Sequence, residues 1–301
     1  MAADVAITDR GARRSPGRRA AGFFHRHPRS AVAALLAGPV GWLVIAYLGS
    51  LALLFVAALW RLDPFTAEIV HEYSLDNFRL LWENDVYRTI AVRTIVMAAA
   101  VTLTDALLAL PIAFYMAKVA SPRARAALVV LILMPLWTSY LVKVYAWRII
   151  LAENGFLDWL LEPFGLSGPG YGTVAVWLVM SYLWLPYMIL PVYAGFERIP
   201  DSLLEASSDL GGKAWTTMRR VVLPIVLPAI VAGSIFTFSL TLGDFITPQL
   251  ISSTQFIANV VYVNVGVANN LPLAAAFATV PIVVMVAYLL VARRLGAFES
   301  L

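Results

Sequence analysis

Between Ala31 and Trp60 the chain runs for thirty residues without one charged side chain. About 20 apolar residues in a helix already cross the hydrocarbon core of a bilayer. Inside lipid every backbone polar group must be satisfied within the protein, so such a run spans as a helix. It is also too long for the apolar core of a secretory signal, which needs about 7–15 residues. Five more apolar runs follow, at about 90–119, 127–151, 173–195, 225–246 and 273–292. Six helical spans account for about half of the 301 residues. Hydrophobic residues make up 61% and charged residues 13%, where a soluble domain has about half and a quarter. The mean hydropathy of +0.80 agrees. There is no cysteine, which excludes disulfides, Cys-ligated metals and thiol catalysis.

The charges that remain report orientation rather than nucleic-acid binding. Residues 1–30 carry Arg10, Arg13, Arg14, Arg18, Arg19, Arg26 and Arg29 and read as a disordered, basic cytoplasmic tail, with a DNA-binding arm as the lesser alternative. Sixteen of the 22 Lys and Arg fall in this tail, the 118–125 turn, the 198–220 segment and the C-terminal end. Arg61, Arg79, Arg88 and Arg93 share one segment on the other side. This asymmetry predicts both termini in the cytoplasm. On the outer side, Ser74 with Asp76-Asn77 predicts the start of a short surface helix bearing Phe78, Leu81 and Trp82. Residues 152–172 and 247–272 lack Lys and Arg and read as outer loops, the first anchored by Trp159, Phe164 and Tyr171.

No catalytic constellation is present. Gly211-Gly212-Lys213-Ala214 lacks the glycine spacing and the Ser/Thr of a phosphate loop. No HExxH or GxSxG occurs, and the three His have no metal-ligand spacing. The conspicuous polar element is Glu205–Pro228, between the fourth and fifth spans. Ser202 and Glu205 fit a capping box. Ala206, Ser207 and Leu210 give a small, smooth face. Gly211-Gly212 supply the left-handed conformation that ends a helix. Arg219 and Arg220 then sit at the inner headgroups.

Glu205-Ala206-Ser207, Asp209-Leu210-Gly211-Gly212, and Val222-Leu223-Pro224 ten residues on resemble the "EAA" loop of ABC importer permeases. Ser207 stands for the usual second alanine and Gly212 for a frequent alanine. The resemblance implies an all-α, polytopic membrane protein with six transmembrane helices and the type I ABC importer permease fold. Residues 1–30 would be the tail, 31–301 the permease domain and 196–224 its coupling loop. In such a protein Glu205, Ala206, Ser207, Asp209, Leu210 and Gly211 would contact or shape the groove of a separate ATPase. The chain itself would bind no cofactor, with ATP and Mg²⁺ held by two partner ATP-binding subunits. A second permease subunit, an extracytoplasmic substrate-binding protein and membrane lipid complete the implied partners, in a prokaryotic inner membrane. Ser74–Phe78, Met134–Gly155 and Leu242–Ile251 are similar to the first permease subunits of spermidine/putrescine importers, with iron and other amines as alternative substrates. An ion-coupled secondary transporter is the remaining rival.

Ionisable side chains within spans cost roughly 2.5–3.5 kcal/mol each on insertion scales, so they are functional candidates. Asp105 lies mid-span in the second run and Asp244 at the outer end of the fifth. Both suit a cationic substrate. Trp137, Tyr140, Trp184 and Tyr187 offer aromatic faces for cation–π contact. Gly243 and Pro248 beside Asp244 predict a broken helix next to a cavity.

Overall fold

The computed structural model describes residues 28–294, with the side chains of 28–31 and 34 excepted. Most of the expected basic tail therefore lies outside the described residues. The chain divides into two units, one ending at Val56 and one beginning at Ala57. The first holds helix α1 except for its final residue; the helix is α-helical over Pro28–Trp42, π-helical over Leu43–Leu48 and α-helical again over Gly49–Ala57.

The second unit opens with a two-stranded ribbon, β1 (Arg61–Leu62) antiparallel to β2 (Ile69–Val70). Sequence periodicity gave no sign of it. Helix α2 (Asp76–Glu83) follows, with Phe78 and Leu81 half-buried and Trp82 exposed. Asn77 Nδ2 donates to the carbonyls of Ala58 and Trp60, at 3.0 and 2.8 Å, and so fixes this helix to the chain before the ribbon.

Helix α3 covers Asp85–Val119 and is 35 residues long. It starts where the Asn84 side chain accepts from Val86 N at 2.9 Å, satisfying one of the first orphan amides. Its last turn, Tyr115–Val119, is π-helical. Ser121 caps α4 (Pro122–Trp137), with Pro122 at its first position.

The third apolar run is not one straight span. α4 ends at Trp137, Thr138 is extended and Ser139 is also outside the helical conformation, and α5 (Tyr140–Ile150) leaves at 95°. Pro135 has no N–H to give the turn before it, which weakens the helix there. The break is then held from outside by contacts that Tyr140 makes, described below.

The short α6 (Phe156–Leu161) leads to α7 (Thr173–Glu197). α8 (Asp201–Asp209) and α9 (Ala214–Gly243) follow. The segment expected to be a second loop instead folds into α10 (Ile246–Ile251) and α11 (Ile257–Gly266). Ile257 and Val260 of α11 are buried with Ile90, Leu273 and Phe277. The last helix among the described residues, α12 (Leu271–Arg294), carries Arg293 and Arg294 in its last turn, where cations suit the helix dipole.

Among the described residues five helices are long and apolar enough to cross a membrane, and the bent α4–α5 pair makes a sixth if it counts as one span. The core lies where α3, α7 and α9 pack. Between helices in lipid there is little hydrophobic drive, so close fit carries much of the association. A Cβ on Gly195 of α7 would meet Ala229 Cβ at 2.6 Å, and one on Gly233 of α9 would meet Met188 Sδ at 2.9 Å. Polar bonds add to this fit. Trp177 Nε1 donates to Thr104 Oγ1 at 3.1 Å, Thr237 Oγ1 to Thr102 Oγ1 at 3.3 Å, and Tyr288 O–H to Ser234 Oγ at 2.7 Å.

Candidate functional site

Two places gather the residues singled out from sequence. The first is the polar stretch after α7. Pro200, with φ −64° and ψ 140°, takes the N-cap position of α8, and no side chain caps the helix. The expected capping box of Ser202 and Glu205 therefore does not form. Proline's fixed φ starts the helix early, which places Ser202 inside the first turn.

The end of α8 follows the sequence reading. Gly211 has φ +79°. Its N–H donates to Ser208 O at 2.8 Å, and Gly212 N–H donates to Ser207 O at 2.9 Å. This pair of bonds is a Schellman motif, which satisfies carbonyls the helix leaves open. A Cβ on Gly212 would meet Ser207 O at 2.6 Å and Ser207 Oγ at 2.8 Å. The Ser207 hydroxyl is itself engaged, 2.8 Å from Thr217 Oγ1 across the turn to α9. Glu205, Ala206, Asp209, Leu210 and Gly211 are all exposed, and Ser207 is half-buried. Leu210 is 90% exposed and Trp215, just beyond, 74%.

The second place is the break between α9 and α10. Asp244, 8% exposed, follows the last residue of α9. Its Oδ1 accepts from Tyr140 O–H at 2.5 Å, Ile246 N at 3.0 Å and Thr247 N at 3.1 Å. Its Oδ2 accepts from Thr247 Oγ1 at 2.6 Å. The carboxylate therefore caps the first turn of α10 and ties α5 to it. Tyr140 and Thr247 hydroxyls also approach each other at 2.8 Å. Two hydroxyl protons serve three short contacts, so two of the three are hydrogen bonds at any one moment.

Tyr140 stacks on Trp184, with centroids 5.8 Å apart and planes at 10°. Trp184 in turn lies 6.1 Å from Tyr187. Tyr140, Trp184, Ser239, Leu240, Gly243 and Asp244 are among the residues lining a cavity of about 300 Å³. The cavity is mostly apolar, with one carboxylate at its wall. A carboxylate offers about four lone-pair sites. Oδ1 is fully used, while Oδ2 meets one donor and retains acceptor capacity.

The structure thus brings together Asp244, Tyr140, Trp184 and Tyr187. It does not bring Trp137 to them: that residue ends α4 and is 83% exposed. Asp105 is fully buried on α3. It stands between one apolar cluster that includes Val101 and another that includes Ala109. Neither of its oxygens, nor Ser181 Oγ or Trp184 Nε1, has a hydrogen-bond partner among the described residues. Thr247 was missed from sequence. Its signal was its place three residues after Asp244, where a hydroxyl reaches back to a capping carboxylate.

Residues 109–297 match the family described as "Binding-protein-dependent transport system inner membrane component". The chain is 45% identical over 296 residues to the inner membrane ABC transporter permease protein YdcU of Escherichia coli (strain K12), covering 93% of this chain and 94% of that one. It is 30% identical over 262 residues to the spermidine/putrescine transport system permease protein PotB of the same strain, covering 85% and 94%. Among solved structures, a chain of a bacterial ABC transporter involved in the import of the acidic polysaccharide alginate superposes with a TM-score of 0.71. It is 17% identical and covers 92% of this chain and 99% of that one. The chain belongs to the family of binding-protein-dependent transport system inner membrane components, the multi-pass inner-membrane permeases of ABC importers. Its fold is that of a type I importer permease.

Proposed function

We propose that this chain is the permease subunit of an ATP-driven importer that moves a polyamine such as spermidine or putrescine into the cell. The observation that carries the substrate class is the cavity at Asp244. It offers a carboxylate with free acceptor capacity on Oδ2, beside the stacked rings of Tyr140 and Trp184. An alkylammonium suits both, since a cation over an aromatic face gains about 0.5–2 kcal/mol. The likeness to the spermidine/putrescine permease supports the same class.

In this reading α8 and the start of α9 lie in the cytoplasm, as the Lys/Arg distribution favours. They dock on one of two ATP-binding subunits, which hold ATP and Mg²⁺. Leu203, Leu210 and Trp215 are exposed apolar side chains on an otherwise polar element, the composition expected of a docking patch. Glu205, Ala206, Asp209 and Gly211 shape that contact. A second permease completes the pathway, and an external binding protein delivers substrate. Closure of the ATPases moves α8, and the spans rock to alternate access.

The test is uptake of labelled spermidine by the assembled importer in proteoliposomes with its binding protein. Asp244→Asn lowers uptake. An unchanged rate across substrate concentrations would remove the carboxylate from the path. A binding protein that takes up no polyamine on titration would remove the substrate class. Glu205→Lys abolishes uptake and weakens recovery of the ATPase with the permease. Normal uptake by that variant would sink the docking role.

A further inference from the structure

The end of α3, the start of α4 and the end of α7 meet the start of α8, and two cations bridge them. Lys118 lies in the π-helical turn that closes α3, with a side chain only 12% exposed. Its Nζ donates to Ile199 O at 2.6 Å and to Asp201 Oδ1 at 2.7 Å. Ile199 is 2% exposed and sits in the linker between α7 and α8, and Asp201 is the first residue of α8. A single ammonium therefore grips both the linker and the helix. Arg125, in the first turn of α4, donates to Met116 O at 2.9 Å and Ala117 O at 2.8 Å. These carbonyls belong to the same π-helical turn, at a helix end where carbonyls lack partners within the helix. The guanidinium also lies 3.7 Å from Glu197 at the end of α7, and Tyr193 O–H donates to that carboxylate as well.

The two cations differ in what they join. Arg125 ties α3, α4 and α7 to one another and braces the bundle. Lys118 crosses from the bundle to α8. Its bond to Ile199 is at a buried carbonyl, while its bond to Asp201 is at a carboxylate 77% exposed. Water competes for the second and not the first, so the grip is firm on the linker and yielding on the helix. π-Helical turns within α-helices are frequent at functional sites.

We infer that Lys118 is the positioning residue through which displacement of α8 reaches the second span. The inference rests on the coupling role of α8 proposed above. Lys118→Met keeps the apolar stem and removes the ammonium. With the full importer in proteoliposomes, substrate taken up per ATP hydrolysed falls about tenfold, within the usual range of coupling between sites. Assembly and ATP hydrolysis stay near their starting values. Lys118→Arg recovers most of the ratio, and Asp201→Asn lowers it in the same direction by less. An unchanged ratio in Lys118→Met overturns the inference, as does a fall of uptake and hydrolysis in equal proportion. If Lys118→Met fails to assemble, Asp201→Asn decides: a lowered ratio supports the joint and an unchanged one overturns it. Glu205→Lys serves as the control. Normal uptake there removes the coupling role itself, whereas a defect there with an unchanged Lys118→Met ratio removes only the joint.

Discussion

Tyr140 donates its hydroxyl to Asp244 at 2.5 Å, joining residues 104 positions apart. The bond locks the start of α5 against the α9–α10 break, and it is made where α4 and α5 part at 95°. Tyr140→Phe keeps the ring and its stacking on Trp184 but deletes the donor. A hydrogen bond to a carboxylate contributes about 1.5–3 kcal/mol. The variant is expected to unfold several degrees lower than the parent when Tm is followed in detergent. An unchanged Tm would show that the bond does not hold the bend.

Gly195→Val is expected to push α7 and α9 apart. The added Cβ would stand 2.6 Å from that of Ala229, with Val226 also within contact. Overpacking of this kind costs about 1–3 kcal/mol. The yield of monodisperse protein from membranes reports it. Wild-type yield and Tm for this variant would mean that the two helices are not closely packed at this level.

The ribbon between α1 and α2 carries a pH-dependent turn. Phe65 N and Thr66 N donate to Asp63 Oδ1 at 2.8 and 3.2 Å. These two bonds, aided by the nearby Arg61, hold the carboxyl below its ordinary value of 3.8. A pKa that is lower in the folded chain favours the folded turn above the unfolded value and withdraws that support as pH falls through the folded value. Amide protection at Phe65 and Thr66 is expected to persist from neutrality to about pH 4 and to fade below it. Protection already lost at pH 5 would contradict the assignment.

Much of the architecture is legible from hydropathy, because length and charge decide which runs cross lipid. Gly211 is legible too, since a helix that must stop uses a residue that tolerates positive φ. The bend after Trp137 is not. Thr138 and Ser139 are ordinary inside a span, and the bond that anchors the start of α5 just after them comes from Asp244, a carboxylate from a different run. The engagement of Asp244 was hidden for the same reason: its donors come from α5 and α10, and the second of these helices read as loop. Lys118 reads from sequence as one of several orienting charges, at the cytoplasmic end of the second span. Its burial and its reach to Ile199 and Asp201 separate it from the exposed Arg123 of α4. The expected cap on α8 failed because Pro200 set the first turn before Ser202 was reached.

α3 is 35 residues long. At about 1.5 Å per residue it measures roughly 52 Å, against about 30 Å of hydrocarbon. It must therefore tilt or project into water, and besides the threonine bonds at mid-length it carries a polar fitting at each tip: the Asn84 cap at one and Lys118 at the other. Such a rod is a lever. A tilt of about 5° about one tip sweeps the other through roughly 4–5 Å, given that length. Motion too small to disturb the packing near one end of α3 is thus magnified into a shift the width of a side chain at the other.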